Sequence, residues 1–413
     1  MSKVLIVGAG AAGLLAGIAA AERGAEVTIL EKMYTPGRKL LITGKGRCNL
    51  TNNCDLTEFF NNFPGNGKFL NSALRQFTNE DMVKLLEEHG LPTKVERGGR
   101  VFPASDLAKD VVDKLVSIFH AYGGKLITDT YVTKLIIVEH VIQGVTTING
   151  QNYTADAVII TTGGASYPGT GSDGNGYRLI AKYGHTIMPL KPSLVPLTSD
   201  SPYIAQLQGL SLRNVQASIY AGDRLLAKEF GEMLFTHFGV SGPIILSLSK
   251  VVAQALAENK GPVDLLIDLK PALDEEKLTA RVQRDFTLYI RKQLVNGIKD
   301  LLPSRLIDVI LDAAFLNPNK AVNQVSKEER QRLVFTLKHL SLPITGTRPL
   351  AEAIVTAGGV CVKEINPKTF ESKLIKGLFF AGEVIDIDGY TGGYNLQAAF
   401  SSGYAAGSAA AQQ

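Results

Sequence analysis

A chain of 413 residues with 45% hydrophobic and 20% charged residues has the length for two or three domains with substantial cores, and its composition excludes disordered and collagen-like classes. A formal charge of +4 over that length permits an acidic partner such as nucleic acid without requiring one. Three cysteines, Cys48, Cys54 and Cys361, are an odd number in a large chain, which argues against a disulfide framework and for a reducing compartment, so a cytoplasmic enzyme is expected.

Lys3 to Val7 reads as a short buried parallel strand, residues 11–23 as an alanine-rich helix, and Glu26 to Leu30 as the next strand. The apolar stretch from Val4 to Ala21 is interrupted by Gly8, Gly10, Gly13 and Gly17 and breaks into Glu22 and Arg23. That spacing fits a nucleotide-binding turn better than a signal peptide or membrane span, and no other stretch calls for membrane insertion. A long loop is expected over 33–53, punctuated by Gly37, Gly44 and Gly46, followed by helical spacing at 69–77, 80–89 and 107–122. Strands are predicted at 125–139, 141–148 and 155–162, the last ending in Gly163 and Gly164.

From Pro189 the texture changes: prolines at 189, 192, 196 and 202 break the chain, and alternation at 215–220 and 263–269 suggests a small β-rich unit. Residues 274–340 carry helical patterns with few glycines. The expected division is a cofactor domain of 1–190 and 351–413, an inserted β-rich domain of 191–270 and 341–350, and a helical subdomain of 271–340. Between Asp268 and Lys338 there are 13 Lys plus Arg against 10 Asp plus Glu, with the signs interleaved. That pattern is a solvated surface which permits RNA binding.

Gly8-Ala9-Gly10-Ala11-Ala12-Gly13 follows a strand and opens a helix, the context that a GxGxxG dinucleotide motif requires. Gly8 permits the tight turn, Gly10 lets the backbone approach a pyrophosphate, and Gly13 lets helix and strand pack closely. The phosphates would lie at the helix N-terminus beside Ala11 and Ala12, where free N–H groups favour an anion. Glu31 ends the second strand, placed to accept both hydroxyls of an adenosine ribose, and it disfavours a 2′-phosphate, leaving FAD or NAD. Lys32, next in the chain, joins this group of cofactor candidates. At the other end, Leu378 to Ala381 runs as a strand into Gly382-Glu383, and Gly392-Gly393-Tyr394-Asn395-Leu396 opens a small-residue helix. This pairing resembles flavoproteins of the FAD-binding Rossmann type, in which the acid meets the ribityl chain and the helix N-terminus faces the flavin pyrimidine.

Gly37-Arg38-Lys39-Leu40-Leu41-Ile42-Thr43-Gly44-Lys45-Gly46-Arg47-Cys48-Asn49-Leu50-Thr51-Asn52 resembles the signature of the BaiN/YhiN-like flavoproteins, and the similarity extends through residues 235–243, 356–360 and 392–396. One departure is Lys45, which replaces a glycine and so makes a positive φ there less expected. The resemblance implies an α/β fold: a Rossmann-type FAD domain of the glutathione-reductase-like kind, interrupted by an inserted β-rich unit carrying a helical subdomain. It implies FAD as cofactor, with cofactor contacts extending over Arg38, Lys39, Thr43, Gly44, Gly46, Arg47, Cys48 and Asn49. Val132 and the Thr162-Gly163-Gly164 turn belong to the same group.

Members of that family are assigned reduction of ring double bonds in oxo-bile acids, dihydrouridine formation in 23S ribosomal RNA, and oxidation of aminoacetone. The first two share a chemistry: a C=C conjugated to a carbonyl accepts hydride from flavin N5 at the β carbon and a proton at the α carbon. The resemblance therefore implies a reductase acting on a small molecule or ribosomal RNA, with NAD(P)H as soluble reductant. Uridine in 23S ribosomal RNA is favoured slightly over an enone or an amine. A non-catalytic, flavin-containing RNA-binding or assembly protein is the alternative of another class. Candidate proton donors are Cys48, His237 and Tyr394, each weighed against a packing role, and Arg47 is expected to favour the Cys48 thiolate. Gly169 to Gly174 also fits GxGxxG, but it follows no strand directly and has no acid at the right offset, so it reads as a loop near the flavin.

Overall fold

In the computed structural model, which describes residues 1–413, Lys3–Val7 (β1) lies at the centre of a five-stranded parallel sheet. Four of its five residues are buried, because helices cover a parallel sheet and both faces of the strand must be apolar. β1 pairs on one side with Glu26–Leu30 (β2), which pairs with Lys125–Ile127 (β3), and on the other with Ala157–Ile160 (β4). Leu378–Phe380 (β5) closes the far edge against β4, with Val158 opposite Leu378. The end of the chain thus completes the sheet that its beginning starts.

Ala11–Glu22 (α1) is buried at every position but its last, which explains its alanines and glycines. Tyr394–Ala410 (α2) lies directly on it: a Cβ at Gly403 or Gly407 would stand 2.3 or 2.1 Å from the carbonyl oxygens of Ala12 and Ala16. Contacts rise in number together along both chains, so the two helices run parallel. α2 begins roughly 12 Å upstream of α1 along their common direction, at 1.5 Å per residue.

By contacts the chain forms two units, Met1–Ser193 with Leu350–Gln413, and Leu194–Pro349. The second holds a seven-stranded antiparallel sheet around the long hairpin of Ser211–Ala221 and Arg224–Phe235. The helical stretch shares one core with this sheet, with Leu278, Leu306 and Leu337 in the same cluster as Ile219 and Leu265, so it does not form a core of its own. No helix is long and apolar enough to cross a membrane.

Several expectations change. The loop over 33–53 contains a short helix, Arg38–Ile42, a 3-10 turn at Thr43–Gly46 and a strand at Thr51–Asn52. The strand expected over 125–139 is two: β3 in the central sheet and Val132–Val138 in a separate meander, divided at Asp129, whose φ is 52°. The β-rich stretch contains a 15-residue helix, Pro243–Ala257, started by a proline in its first turn. Lys45 does adopt a left-handed backbone, φ 61° and ψ 42°, between Gly44 and Gly46. The neighbouring turns determine the path there, and the lysine bears the strain.

Candidate active site

The first unit brings the N-terminal glycines, the 37–52 segment and the C-terminal turn to one end of the parallel sheet. Gly8 has φ 108°, and a Cβ there would lie 2.7 Å from the Thr161 carbonyl oxygen; at Gly13 it would lie 1.9 Å from the oxygen of Gly8. Gly10 differs: a Cβ on it would meet no atom within 4 Å. Gly10 caps α1 with no side chain, and the first turn holds no acid, so the helix N–H groups at Ala11 and Ala12 are left for an anion. The open space over Gly10 is what a pyrophosphate needs. Thr161, which sequence reasoning missed, fixes the turn by donating its hydroxyl to the carbonyls of Val7 and Gly8, at 3.0 and 2.8 Å.

Glu31 lies beside that turn. Its carboxylate accepts the Ala9 N–H at 2.7 Å and the Met33 N–H at 2.8 Å. Burial pushes its pKa up, and the two backbone donors and Lys32 oppose that. Lys32 pairs with Asp173 at 2.8 Å, and a Cβ on Gly171 would be 3.1 Å from Met33 Cγ. The 169–174 loop thus packs on Lys32 and Met33, next to the Glu31 end of the strand. Val132 is buried at the start of the meander, opposite Thr147. Arg38 places its guanidinium over the Tyr34 ring at 5.0 Å.

Toward the C-terminal turn, Glu383 is the hub. Lys39 Nζ donates to it at 2.6 Å and to Ser166 Oγ at 2.8 Å, while the Thr356 N–H and the Ser166 hydroxyl donate to its other oxygen at 2.8 and 3.1 Å. Gly164 admits this cluster, since a Cβ there would lie 2.4 Å from Thr356 Oγ1 and 2.6 Å from Glu383 Oε1. The Gly382 turn abuts α1, with a Cβ position 2.8 Å from that of Ala12. Ser166 and Thr356 escaped sequence reasoning as site residues, although the 356–360 stretch carried a family signal. Thr162, by contrast, turns its hydroxyl toward Gly176, where a Cβ would be 1.9 Å away, and Gly163, at φ 70°, abuts Ser172.

The 43–52 segment props the start of α2. Thr43 bonds its hydroxyl back to Leu40 at 2.7 Å, and Gly44 has no room for a Cβ, which would stand 2.9 Å from the Asn49 nitrogen. Gly46 adds a further left-handed residue, φ 84°. With its amide oriented to satisfy its neighbours, Asn49 accepts the Gly393 N–H at 3.0 Å, and Asn52 donates to the Gly392 carbonyl at 3.1 Å. Gly393 has φ 102°, and a Cβ there would be 2.3 Å from the Thr51 oxygen. Asn395 spends its amide on Gly389 and Tyr390, so its side chain secures the loop, and Leu396 packs against the core.

The proton-donor candidates fare differently. Cys48 is wholly buried, and burial pushes its thiol up to about 12, which overturns the expected thiolate. Arg47 cannot favour that thiolate or reach a phosphate freely, because its guanidinium is held by Glu96 and Asp106, the latter at 2.7 Å, over the Phe102 ring. Tyr394 is buried edge-on to Phe59 at 5.0 Å, and burial together with Cys54 raises its hydroxyl above the usual range. His237 lies in the second unit, exposed, on the turn between Arg224–Phe235 and Gly239–Ser241, edge-on to Phe238 at 4.9 Å.

A capless, acid-free helix start with open space at Gly10, an acid at the end of β2, and a second staggered helix start at α2 are together fitted to a dinucleotide with a flavin at its far end. These features define a Rossmann-type FAD-dependent oxidoreductase. The family model described as HI0933-like protein Rossmann domain matches residues 2–409, and the chain belongs to that family. It is 33% identical, over all of both chains, to the 3-dehydro-bile acid delta(4,6)-reductase of Clostridium scindens. It is also 32% identical to the ribosomal RNA dihydrouridine synthase of Haemophilus influenzae, over 98% of this chain and 97% of that one. Among solved structures, the 3-ketosteroid delta1-dehydrogenase of Sterolibacterium denitrificans shares the fold at TM-score 0.54 and 14% identity, with full coverage of both chains. The E. coli quinol fumarate reductase subunit does so at TM-score 0.55 and 18% identity, covering this chain fully and 70% of that one.

Proposed function

We propose that this protein saturates a C=C conjugated to a carbonyl, with a uridine of 23S ribosomal RNA as its substrate and NAD(P)H as its soluble reductant, acting in the cytoplasm. The observation that supports this is the pair of full-length relatives, one named for a bile acid and one for ribosomal RNA, at 33% and 32% identity. Uracil and a conjugated 3-oxo steroid present the same group to a reductant, an alkene polarised by a carbonyl.

When bound, FAD supplies hydride chemistry at the β carbon of such a group. The chain's own residues do the rest. Gly8, Gly10 and Gly13 with the first turn of α1 would hold the pyrophosphate, and Glu31 would hold the ribose hydroxyls. Lys39, Ser166 and Glu383 form a polar cluster for the ribityl hydroxyls. The start of α2 at Gly393 and Tyr394 would offer its positive end to the flavin, where it would favour negative charge. For the proton at the α carbon we retain His237, whose ring is open to water, over Cys48 and Tyr394, both of which burial makes poor acids.

The test has two arms. Anaerobic NADPH is expected to bleach the yellow enzyme; bleaching by aminoacetone and not by NADPH would overturn the reductase reading in favour of an oxidase. Deleting the gene is expected to remove a dihydrouridine from 23S ribosomal RNA, read by mass spectrometry of digested RNA. An unchanged modification profile, with turnover of a small oxo-steroid enone by the purified enzyme, would replace the RNA substrate by a small molecule.

A further inference from the structure

The second unit carries a feature that its own stability does not require. The helix Ser304–Ala313 ends in a Schellman turn, in which the Phe315 N–H bonds to the Asp312 carbonyl at 2.9 Å and the Leu316 N–H to that of Leu311 at 2.8 Å. The residue after the cap of such a turn must be left-handed, a place that favours glycine. Here it is Phe315, at φ 54°, a residue 86% exposed. A bulky residue in that conformation is strained, and its ring is not buried to offset the strain.

Phe335, on the helix Lys327–Lys338, is 60% exposed and stacks on His339 with ring centres 4.5 Å apart and planes at 26°. Phe315, Phe335 and His339 line one groove of about 680 Å³, together with Tyr203 and Arg332. Arg332 is anchored at its wall by donating Nε–H to the Ala314 carbonyl at 3.1 Å. Arg332 and Glu328 both line the groove, while two charges of the same helix are paired elsewhere, Lys338 with Asp268 at 2.6 Å and Glu329 with Lys320 at 2.8 Å. Flat unsaturated rings displayed beside the Arg332 guanidinium match the two parts of an unpaired nucleotide, its base and its phosphate.

We propose that this groove docks a single-stranded segment of the RNA substrate by stacking bases on Phe315 and on the Phe335–His339 pair. The inference rests on the ribosomal RNA reading above and adds to it where that RNA is held. A polynucleotide needs such a surface; a free steroid does not.

The test uses the FAD-loaded enzyme, the variants F315G and F335A, and a short fluorescein-labelled, uridine-rich single-stranded RNA followed by anisotropy. Each variant is expected to weaken binding roughly tenfold, the loss of one stacked base. F315G is expected to melt at the same temperature or higher, since glycine relieves the left-handed strain; a merely structural Phe315 would give a lower melting temperature. Anaerobic bleaching of the bound flavin by NADPH should be unchanged in both. If wild type forms dihydrouridine in ribosomal RNA and both variants bind and modify RNA as well as it does, the groove inference is overturned while the substrate reading stands. If wild type forms none, the substrate reading fails, and the docking inference with it. If the variants lose binding to large ribosomal subunits but not to naked RNA, the occupant is a protein and the RNA inference is overturned.

Discussion

Gly10 and Gly13 stand three residues apart and should fail in opposite ways. At Gly10 the backbone is ordinary, φ −82°, and a Cβ meets nothing within 4 Å, so Gly10→Ala should leave the apoprotein's melting temperature unchanged. The methyl would occupy the space over the helix start, and FAD affinity should fall about tenfold or more, ~1.4 kcal/mol, read by titrating apoprotein with FAD. Gly13→Ala puts a methyl 1.9 Å from the Gly8 oxygen and should cost the fold itself. Lys45 is the converse: it holds a left-handed backbone where glycine would be free, so Lys45→Gly should stabilise the protein by about 1 kcal/mol, seen as a higher denaturation midpoint. The glycine pattern and Glu31 were legible in the sequence because their roles are local to a strand and a helix. Arg47 was not. Adjacency suggested that it acts on Cys48, whereas its partners Glu96 and Asp106 lie 49 and 59 residues on, and only the fold brings them together.

Elements were legible where one period and one set of stop signals governed them, as in β1, α1 and β2. Pro243–Ala257 was not, since its Ile-Ile and Val-Val pairs favour a strand and only tertiary packing on the sheet makes them a helix. Another contact invisible in the sequence joins the residues just before the Ile187–Ser193 strand to Ser372 and to the end of β5. His185 there is 4% exposed, donates or accepts through Nε2 with Ser372 Oγ at 2.8 Å, and meets Phe380 edge-on at 5.0 Å. Burial lowers its pKa below the ordinary 6.5, with Glu364 opposing. A depressed histidine favours the folded state while it is neutral, so its contribution is present above pH 6.5 and is lost as pH falls through the lower folded value. The melting temperature of wild type should therefore drop between pH 7 and pH 5 by more than that of His185→Asn. Equal drops in the two proteins would show that this imidazole does not titrate with unfolding.

For the whole molecule, the expected insertion near 190–350 came with a separate helical part within it, because a run of helical periods looks self-sufficient when its packing partners are out of view. The single core shared by Leu278, Leu306 and Leu337 with the sheet makes the inserted segment one cooperative body. Its ends are also close: Leu197 pairs with Thr347, and the Arg348 N–H reaches the Pro196 carbonyl at 2.9 Å. In the remaining unit, Ser193 pairs with Val355, five residues after Leu350, where the chain re-enters. Close ends are what allow one domain to be inserted in another without threading the host. Replacing 194–349 by a short Gly-Ser linker should therefore leave a soluble protein that retains the glycine turn, Glu31, the Lys39–Glu383 pair and both helix starts. It should still bind FAD, measured as flavin absorbance that survives gel filtration. The same chain should lose both RNA binding and turnover, because Phe315, Phe335 and His237 leave with the inserted unit. Retention of full turnover would move the proton donor into the first unit; loss of FAD would mean that the first unit does not hold its fold alone.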